Sequence, residues 1–142
     1  DHGMVDVKKT IDIQEKVKDL NVLMFLDSTL AKFWLKDSKE KAKLLKRLAL
    51  FKKDGHILTE KEKRIYHLNF ADNRYGDVIF VAHPGVLIFP NFYQKTKPVI
   101  AMHGFNPDFP GQKGLYISNL DKGRKDLEMR KMFTLLLRLG DF

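Results

Sequence analysis

Two apolar runs, separated only by His-Pro-Gly, are the feature that most constrains the fold of this 142-residue chain. The runs at residues 78–82 and 86–89 are rich in β-branched and aromatic side chains, which favour β-strands. A short connection that contains Pro and Gly is typical of a turn. The segment therefore predicts a β-hairpin that turns at residues 83–85.

A second apolar pair lies earlier in the chain, where a run at residues 22–26 is followed by Asp-Ser-Thr and then by a run around residues 33–35. Asp and Ser favour turns, so this segment predicts a strand-turn-strand unit. Ser28 and Thr29 are expected in a surface turn. The preceding stretch, residues 5–20, predicts a short strand and a polar connection.

Three segments have helical patterns. Residues 38–53 predict an amphipathic helix with lysines on the outer face, ended by Gly55. Its expected apolar face consists of Ala42, Leu44, Leu45, Leu48 and Ala49. Thr59 and Glu62 have the spacing of a capping box at the start of a shorter helix. Residues 127–139 predict a C-terminal helix that ends at Gly140, after a loop at residues 97–114 and a strand at 114–118.

The order of these elements predicts that residues 21–91 form a small sheet covered by a helix on one face. Hydrophobic residues make up 44% of the chain, enough for a core. The apolar runs are much shorter than the roughly 20 residues that span a bilayer. The sequence therefore predicts a soluble chain and leaves the compartment open, cytoplasmic or exported.

The chain contains no cysteine, so any metal ion must be bound by His and carboxylate side chains. His103 differs from the other histidines, because it follows the apolar run VIAM and opens a loop rich in Gly and Pro, although a histidine before glycine can also simply end a strand. Asp1 and His2 are adjacent and offer an oxygen and a nitrogen ligand. The other histidines, His56, His67 and His83, are predicted on the surface.

Three segments together resemble one family: DHGM at residues 1–4, GDVIFVAHPGVLIFPN at 76–91 and MHGFNPDFPGQKGLYIS at 102–118. In this order they resemble the type I phosphodiesterase and nucleotide pyrophosphatase family of the alkaline phosphatase superfamily. The resemblance spans nearly all of the 142-residue chain and matches the C-terminal portion of the catalytic domain. The most specific element is the HGF loop with its prolines and glycines, followed by an apolar strand.

The resemblance implies an alkaline phosphatase-like α/β domain with a mixed or parallel central sheet and two metal ions, usually zinc, at the strand ends. Asp1 and His2 match the Asp-His pair that binds the metal carrying the nucleophile, and His103 matches the late histidine that binds the other metal. The implied substrate is a phosphate-containing small molecule, a nucleotide or phosphodiester, and the implied reaction is hydrolysis of phosphodiester, pyrophosphate or phosphomonoester bonds. By the same resemblance, residues 21–93 are expected to form a small α+β accessory lid beside that site.

In this family the Thr or Ser nucleophile, one metal-binding Asp and an Asp-x-x-x-His ligand motif all lie upstream of the Asp-His pair. They are therefore expected outside this chain. Three ligands divided between two metals leave each ion short of the three protein ligands of a catalytic zinc. We predict that the chain alone neither binds two metal ions tightly nor hydrolyses phosphodiesters, although the complete protein is an enzyme.

Two alternatives remain open. The formal charge of +8 and the aromatic residues Phe33, Trp34, Tyr75 and Phe92 are compatible with a stand-alone module that binds nucleic acid or another anionic partner. The chain could also be an inactive structural unit whose unpaired sheet edge favours self-association.

Overall fold

A computed structural model of the chain describes residues 3–117, 119 and 127–140. Its helices are α1 (Ile13–Val17), α2 (Ser38–Leu48), α3 (Glu60–Ile65) and α4 (Met129–Leu139). Its strands are β1 (Val5–Asp6), β2 (Lys9–Ile11), β3 (Val22–Leu26), β4 (Leu30–Leu35), β5 (Gly55–Ile57), β6 (Val78–Ala82), β7 (Val86–Ile88) and β8 (Ala101–Met102). This mixture agrees with the predicted α/β class at a coarse level.

The largest sheet has four antiparallel strands in the order β3-β4-β6-β5. Strands β3 and β4 are the predicted strand-turn-strand unit, which the structure confirms. All four strands lie within residues 22–82, inside the range predicted for the small α+β unit.

Helix α2 packs on one face of this sheet. Leu44 and Leu48 are fully buried in a cluster with Phe33 and Phe80, as an amphipathic helix requires. The predicted apolar face was wrong at Ala42 and Ala49, which are exposed, whereas Leu44 and Leu48 are buried and Leu45 packs against the same core. The helix is also shorter than predicted: its cap is Asp37, which accepts from the N–H of Lys39, and a 3₁₀ turn, Ala49–Phe51, follows it.

The second face of the sheet is also covered. Leu58, Ile79 and Val81 are buried there, with Tyr66 and Leu68 packed against them. Strand β6 is consequently buried at all five positions, which explains its unbroken apolar sequence.

The predicted hairpin at residues 78–89 was wrong. Strand β6 pairs with β4 on one edge and with β5 on the other, so it has no free edge for β7. Strand β7 instead pairs in parallel with β2, from Lys9 opposite Val86 to Ile11 opposite Ile88. Gly85, with φ +89°, turns the chain out of the sheet after β6.

The N-terminal segment pairs with distant partners. Strand β1 pairs antiparallel with β8, with Val5 opposite Met102 and Asp6 opposite Ala101. The polar connection predicted after it contains helix α1, whose Ile13 and Val17 are fully buried and whose cap Asp12 accepts from the N–H of Glu15. The local pattern missed this helix because it is only five residues long.

Two further predictions fail and one holds. Gly55 does not end a helix but begins β5, where any Cβ would collide with the Phe80 ring and the Val81 carbonyl. Residues 115–117 form no strand, and Ser118 lies outside the described residues. The C-terminal helix and its end at Gly140 are confirmed.

Within the described part of the chain, no helix combines the length and apolar character needed to cross a bilayer.

The predicted capping box of α3 is present. The Thr59 side chain accepts from the Glu62 N–H, and the Glu62 carboxylate accepts from the Thr59 N–H at 2.7 Å and from its hydroxyl at 2.7 Å. These bonds, with a smaller contribution from nearby His56, lower the pKa of Glu62 from its ordinary 4.5.

We expect this carboxylate to make stability depend on pH. Because the pKa of Glu62 is lower in the folded chain, its contribution is present above its ordinary pKa and is lost as pH falls through the folded value. In Glu62→Gln the amide oxygen can still accept the capping hydrogen bonds but does not titrate. The free energy of unfolding of the wild type should therefore exceed that of Glu62→Gln at neutral pH, and this difference should shrink as the pH becomes acidic. Denaturant unfolding at several pH values measures this difference.

Thr59→Ala is the control, since it removes the hydroxyl oxygen that accepts from the Glu62 N–H and should cost about 1 kcal/mol at neutral pH. If the difference in free energy of unfolding between the wild type and Glu62→Gln stays constant down to acidic pH, the prediction is contradicted.

Candidate functional site

His103 lies directly after β8 and is half-buried, at the start of the loop of residues 103–112 that we call the HGF loop. Gly104 follows it with φ +79°, a left-handed conformation that glycine adopts without strain. The prediction that His103 lies at the end of a strand and the start of a loop is therefore confirmed.

Asp1 and His2, the other predicted metal ligands, lie outside the described residues. The next residue, Gly3, lies against the HGF loop, because a Cβ on Gly3 would collide with the carbonyl oxygen of Gly111. Two residues later, Val5 pairs with Met102. The segment that follows His2 thus runs antiparallel to the segment that leads into His103.

The Gln112 side chain holds the start of the HGF loop. Its Oε1 accepts hydrogen bonds from the N–H groups of Gly104, at 2.7 Å, and Phe105, at 2.9 Å. Phe105 itself is buried, with 4% of its surface exposed. Backbone donors on both residues after His103 are therefore satisfied by one side chain, which fixes the path of the chain there.

The turn between β3 and β4 holds the same loop from the other side. The Thr29 hydroxyl donates to the Gly104 carbonyl at 2.6 Å. Ser28 and Thr29 are 0% and 4% exposed, so the surface turn predicted for them was wrong. The turn is buried because β7 and the HGF loop pack over it, with the Ile88 N–H donating to the Ser28 carbonyl at 2.8 Å.

Tyr66, which caps the C-terminal end of α3, is the third residue that is hydrogen-bonded to the HGF loop. Its hydroxyl lies 2.6 Å from Asp108 Oδ2 and 3.0 Å from Asn106 Oδ1. Burial raises the pKa of Tyr66, and the bond to the Asp108 carboxylate raises it further. The phenol is therefore a stable hydrogen-bond donor at neutral pH.

A cavity of about 250 Å³ lies between the second face of the sheet and the HGF loop. We call it the Tyr66 cavity. It is lined by Leu30, Leu58, Tyr66, Leu68, Val81 and the loop residues 104–107. Its lining is mostly apolar and includes Gly104, the residue after His103.

The other histidines do not build a metal centre. Across residues 3–117, 119 and 127–140, no group of three or more His, Asp or Glu side chains is placed to hold a metal ion. His67 and His83 are exposed, as predicted. His56 lies on β5 with 36% of its side-chain surface exposed, and its Nε2 is 3.1 Å from Glu62 Oε1 and its ring 5.9 Å from that of His83. The described residues alone do not complete a metal site.

A separate group of side chains surrounds Lys32, on the sheet face opposite α2. Its Nζ lies 4.9 Å from the centre of the Phe25 ring, 5.3 Å from that of Tyr75 and 5.9 Å from that of Trp34. Phe92 is exposed beside Phe25, at 5.2 Å between ring centres. Of the four aromatics named from the sequence, Phe33 is fully buried in the core and is unavailable to a ligand.

Models of known protein families gave no match to this chain. Curated proteins and solved structures gave none either. The functional interpretation therefore depends on the motifs of the sequence and on the geometry described above.

We expect Thr29→Val to loosen the HGF loop. Valine keeps the shape of the side chain but leaves the Gly104 carbonyl without its 2.6 Å donor; because Gly104 is exposed, its carbonyl can still bond water, and the loss should be about 1 kcal/mol of unfolding free energy. Thr29→Ser keeps the hydroxyl and should lose less. Denaturant unfolding and the amide NMR shifts of Gly104 and Phe105 provide the two readouts.

Thr96→Val, at an exposed position outside the turn, is the matched control. Unchanged Gly104 and Phe105 shifts in Thr29→Val would contradict the role given to this hydroxyl.

Proposed function

We propose that this chain is the C-terminal part of a two-metal hydrolase of phosphodiester, pyrophosphate or phosphomonoester bonds, with Asp1, His2 and His103 among its metal ligands. The observation that supports the proposal is the pairing of β1 with β8. It brings the chain that follows DHGM alongside the chain that precedes HGF, the two motifs that carry the resemblance. A shared site needs this proximity, and the two motifs are far apart in sequence.

The metal ions of such a site, most often zinc, activate a nucleophilic oxygen and stabilise charge on phosphoryl oxygens. This chain contributes a carboxylate and two imidazoles, ligands that suit zinc. The HGF loop, held by Gln112 and Thr29, fixes the backbone beside His103. The nucleophile and the remaining ligands come from the rest of the complete protein, so the chain alone is expected to be inactive.

The proposal includes an alkaline phosphatase-like architecture. The two-stranded pairs β1·β8 and β2·β7 would then belong to the central sheet of that domain. The four-stranded sheet with α2 would be the accessory unit of residues 21–93, at the side of the site.

The test compares the complete protein with the 142-residue chain. We expect the complete protein to hydrolyse bis(4-nitrophenyl) phosphate, to lose this activity with a chelator and to regain it with zinc. His103→Ala should lower kcat/KM at least about 100-fold, because even partners that only orient a metal ligand account for 10- to 100-fold. The 142-residue chain should show no turnover and no tight binding of two zinc ions by calorimetry.

His83→Ala is the matched control, since His83 is exposed in the turn after β6 and should leave kcat/KM unchanged. Full activity of His103→Ala, or metal-dependent turnover by the isolated chain, would refute the proposal. The coding sequence before Asp1 offers a direct check, because it should encode the Thr or Ser nucleophile and an Asp-x-x-x-His motif.

The surface around Lys32 supports a second candidate, a module that binds single-stranded nucleic acid. Lys32, Trp34, Tyr75 and Phe92 combine a cation with aromatic rings on one side of the sheet, and stacking of bases on such rings contributes about 1–3 kcal/mol per base. The net charge of +8 favours a polyanion. Against this candidate, Arg74 on the same side is paired with Asp72, which reduces the local positive charge.

Trp34 is the only tryptophan, so its fluorescence reports this binding directly. If the second candidate is correct, an oligothymidine should quench Trp34 at low salt, and affinity should fall steeply as salt is added. Lys32→Gln should weaken this binding, with Lys61→Gln as an exposed control on α3. No quenching at low salt excludes this candidate.

A further inference from the structure

We propose that the Tyr66 cavity binds an apolar ester group, an aryl ring or a short alkyl chain, of the phosphoester that the complete protein hydrolyses. This inference rests on the proposed function, and adds to it the chemical class of substrate. It is carried by the cavity itself, whose size and lining are independent of the metal ligands.

The size of the cavity suits one small apolar group. An apolar cavity of about 150 Å³ is sufficient for benzene. The Tyr66 cavity, at about 250 Å³, has space for a phenyl ring with a few additional carbons. It is also smaller than the roughly 300–1,000 Å³ of sites that enclose a whole drug-sized ligand. It therefore accommodates part of a substrate.

The lining favours hydrocarbon over a polar group. The walls consist of the side chains of Leu30, Leu58, Leu68, Val81, Phe105 and Pro107. The Tyr66 hydroxyl already lies within hydrogen-bond distance of Asp108 and Asn106, so it is engaged. A nucleobase would lose hydrogen bonds to water here without replacing them, which costs about 1–3 kcal/mol for each polar group.

The position of the cavity connects it to the candidate metal site. Gly104 lines the cavity and follows His103 directly in the chain. A phosphoester whose phosphoryl group lies near His103 can therefore extend its ester group toward Leu30 and Phe105. The lining residues on this side are held in place, because Gln112 accepts from both Gly104 and Phe105 and Thr29 donates to Gly104. A wall fixed in this way favours a preformed pocket.

The binding test uses methyl NMR of the 142-residue chain with phenyl phosphate as the probe. We expect concentration-dependent shifts of the methyl groups of Leu30, Leu58, Leu68 and Val81. Methyl phosphate, which has the same anionic group without the ring, should not shift them. The core methyls of Leu44 and Leu48, on the other side of the sheet, serve as the internal control. Equal shifts with both probes, or none with phenyl phosphate, would overturn the proposal.

A cavity-filling variant tests the same assignment. Leu68 is half-buried at the cavity, so Leu68→Phe should occupy its space and weaken phenyl phosphate binding at least about tenfold. Leu50→Phe, at an exposed site outside the cavity, is the matched control. If Leu68→Phe fails to fold, Leu30→Phe serves in its place. Unchanged affinity in the folded variant would contradict the proposal.

Kinetics of the complete protein distinguish this inference from the proposed function. Leu68→Phe should raise KM for a phenyl phosphodiester and leave KM for a methyl phosphodiester unchanged, with kcat preserved for the latter. Activity that depends on His103 but shows no such discrimination overturns the cavity assignment alone. Binding of phenyl phosphate in the cavity, together with activity unaffected by His103→Ala, overturns the proposed function and leaves the cavity assignment standing.

Discussion

The buried turn between β3 and β4 is the connection on which the other parts of the structure depend. Its polar groups cannot be solvated, so each needs a partner within the protein. The carbonyls of Ser28 and Thr29 accept from the N–H groups of Ile88 and Ala82, both at 2.8 Å, and the Thr29 hydroxyl donates to Gly104. One turn therefore joins the four-stranded sheet, strand β7 and the HGF loop.

The Ser28 hydroxyl extends this network to a fourth segment. It lies 3.2 Å from Gln94 Oε1, and Gln94 in turn accepts from the side-chain amide of the buried Asn91. The loop after β7 is thus fixed to the same turn as the HGF loop. The geometry around His103 depends on three side chains, Thr29, Gln112 and Tyr66, that carry no catalytic motif of their own.

Elements with local causes could be predicted from the sequence. The lysine and leucine spacing of α2, the capping box of Thr59 and Glu62, and the turn residues after β3 all act within a few positions of the chain. His103 was placed correctly at a strand end for the same reason, since the apolar run before it and Gly104 after it are its neighbours.

Features with distant partners could not be predicted. The runs of β6 and β7 have the composition of a hairpin, but both edges of β6 pair with other strands, β4 and β5, which are distant in sequence. Ser28 and Thr29 have the composition of a surface turn, and only the packing of β7 and the HGF loop buries them. The role of Gln112 in holding the HGF loop could not be recognised from the sequence, because a glutamine in a loop rich in Gly and Pro is ordinarily solvated. The short helix α1 lacks the length that a periodic pattern needs.

The pairing of β1 with β8 and of β2 with β7 has a consequence for how the chain assembles. Both strands are synthesised well before their partners, residues 86–88 and 101–102. Closing so long a loop is entropically costly, and pairings of this kind form late and slowly. The four-stranded sheet, whose contacts are nearer in sequence, can form before them. Strand β1 and strand β8, which leads into His103, would then pair last. The local structure around His103 would therefore form only when the rest of the chain has folded.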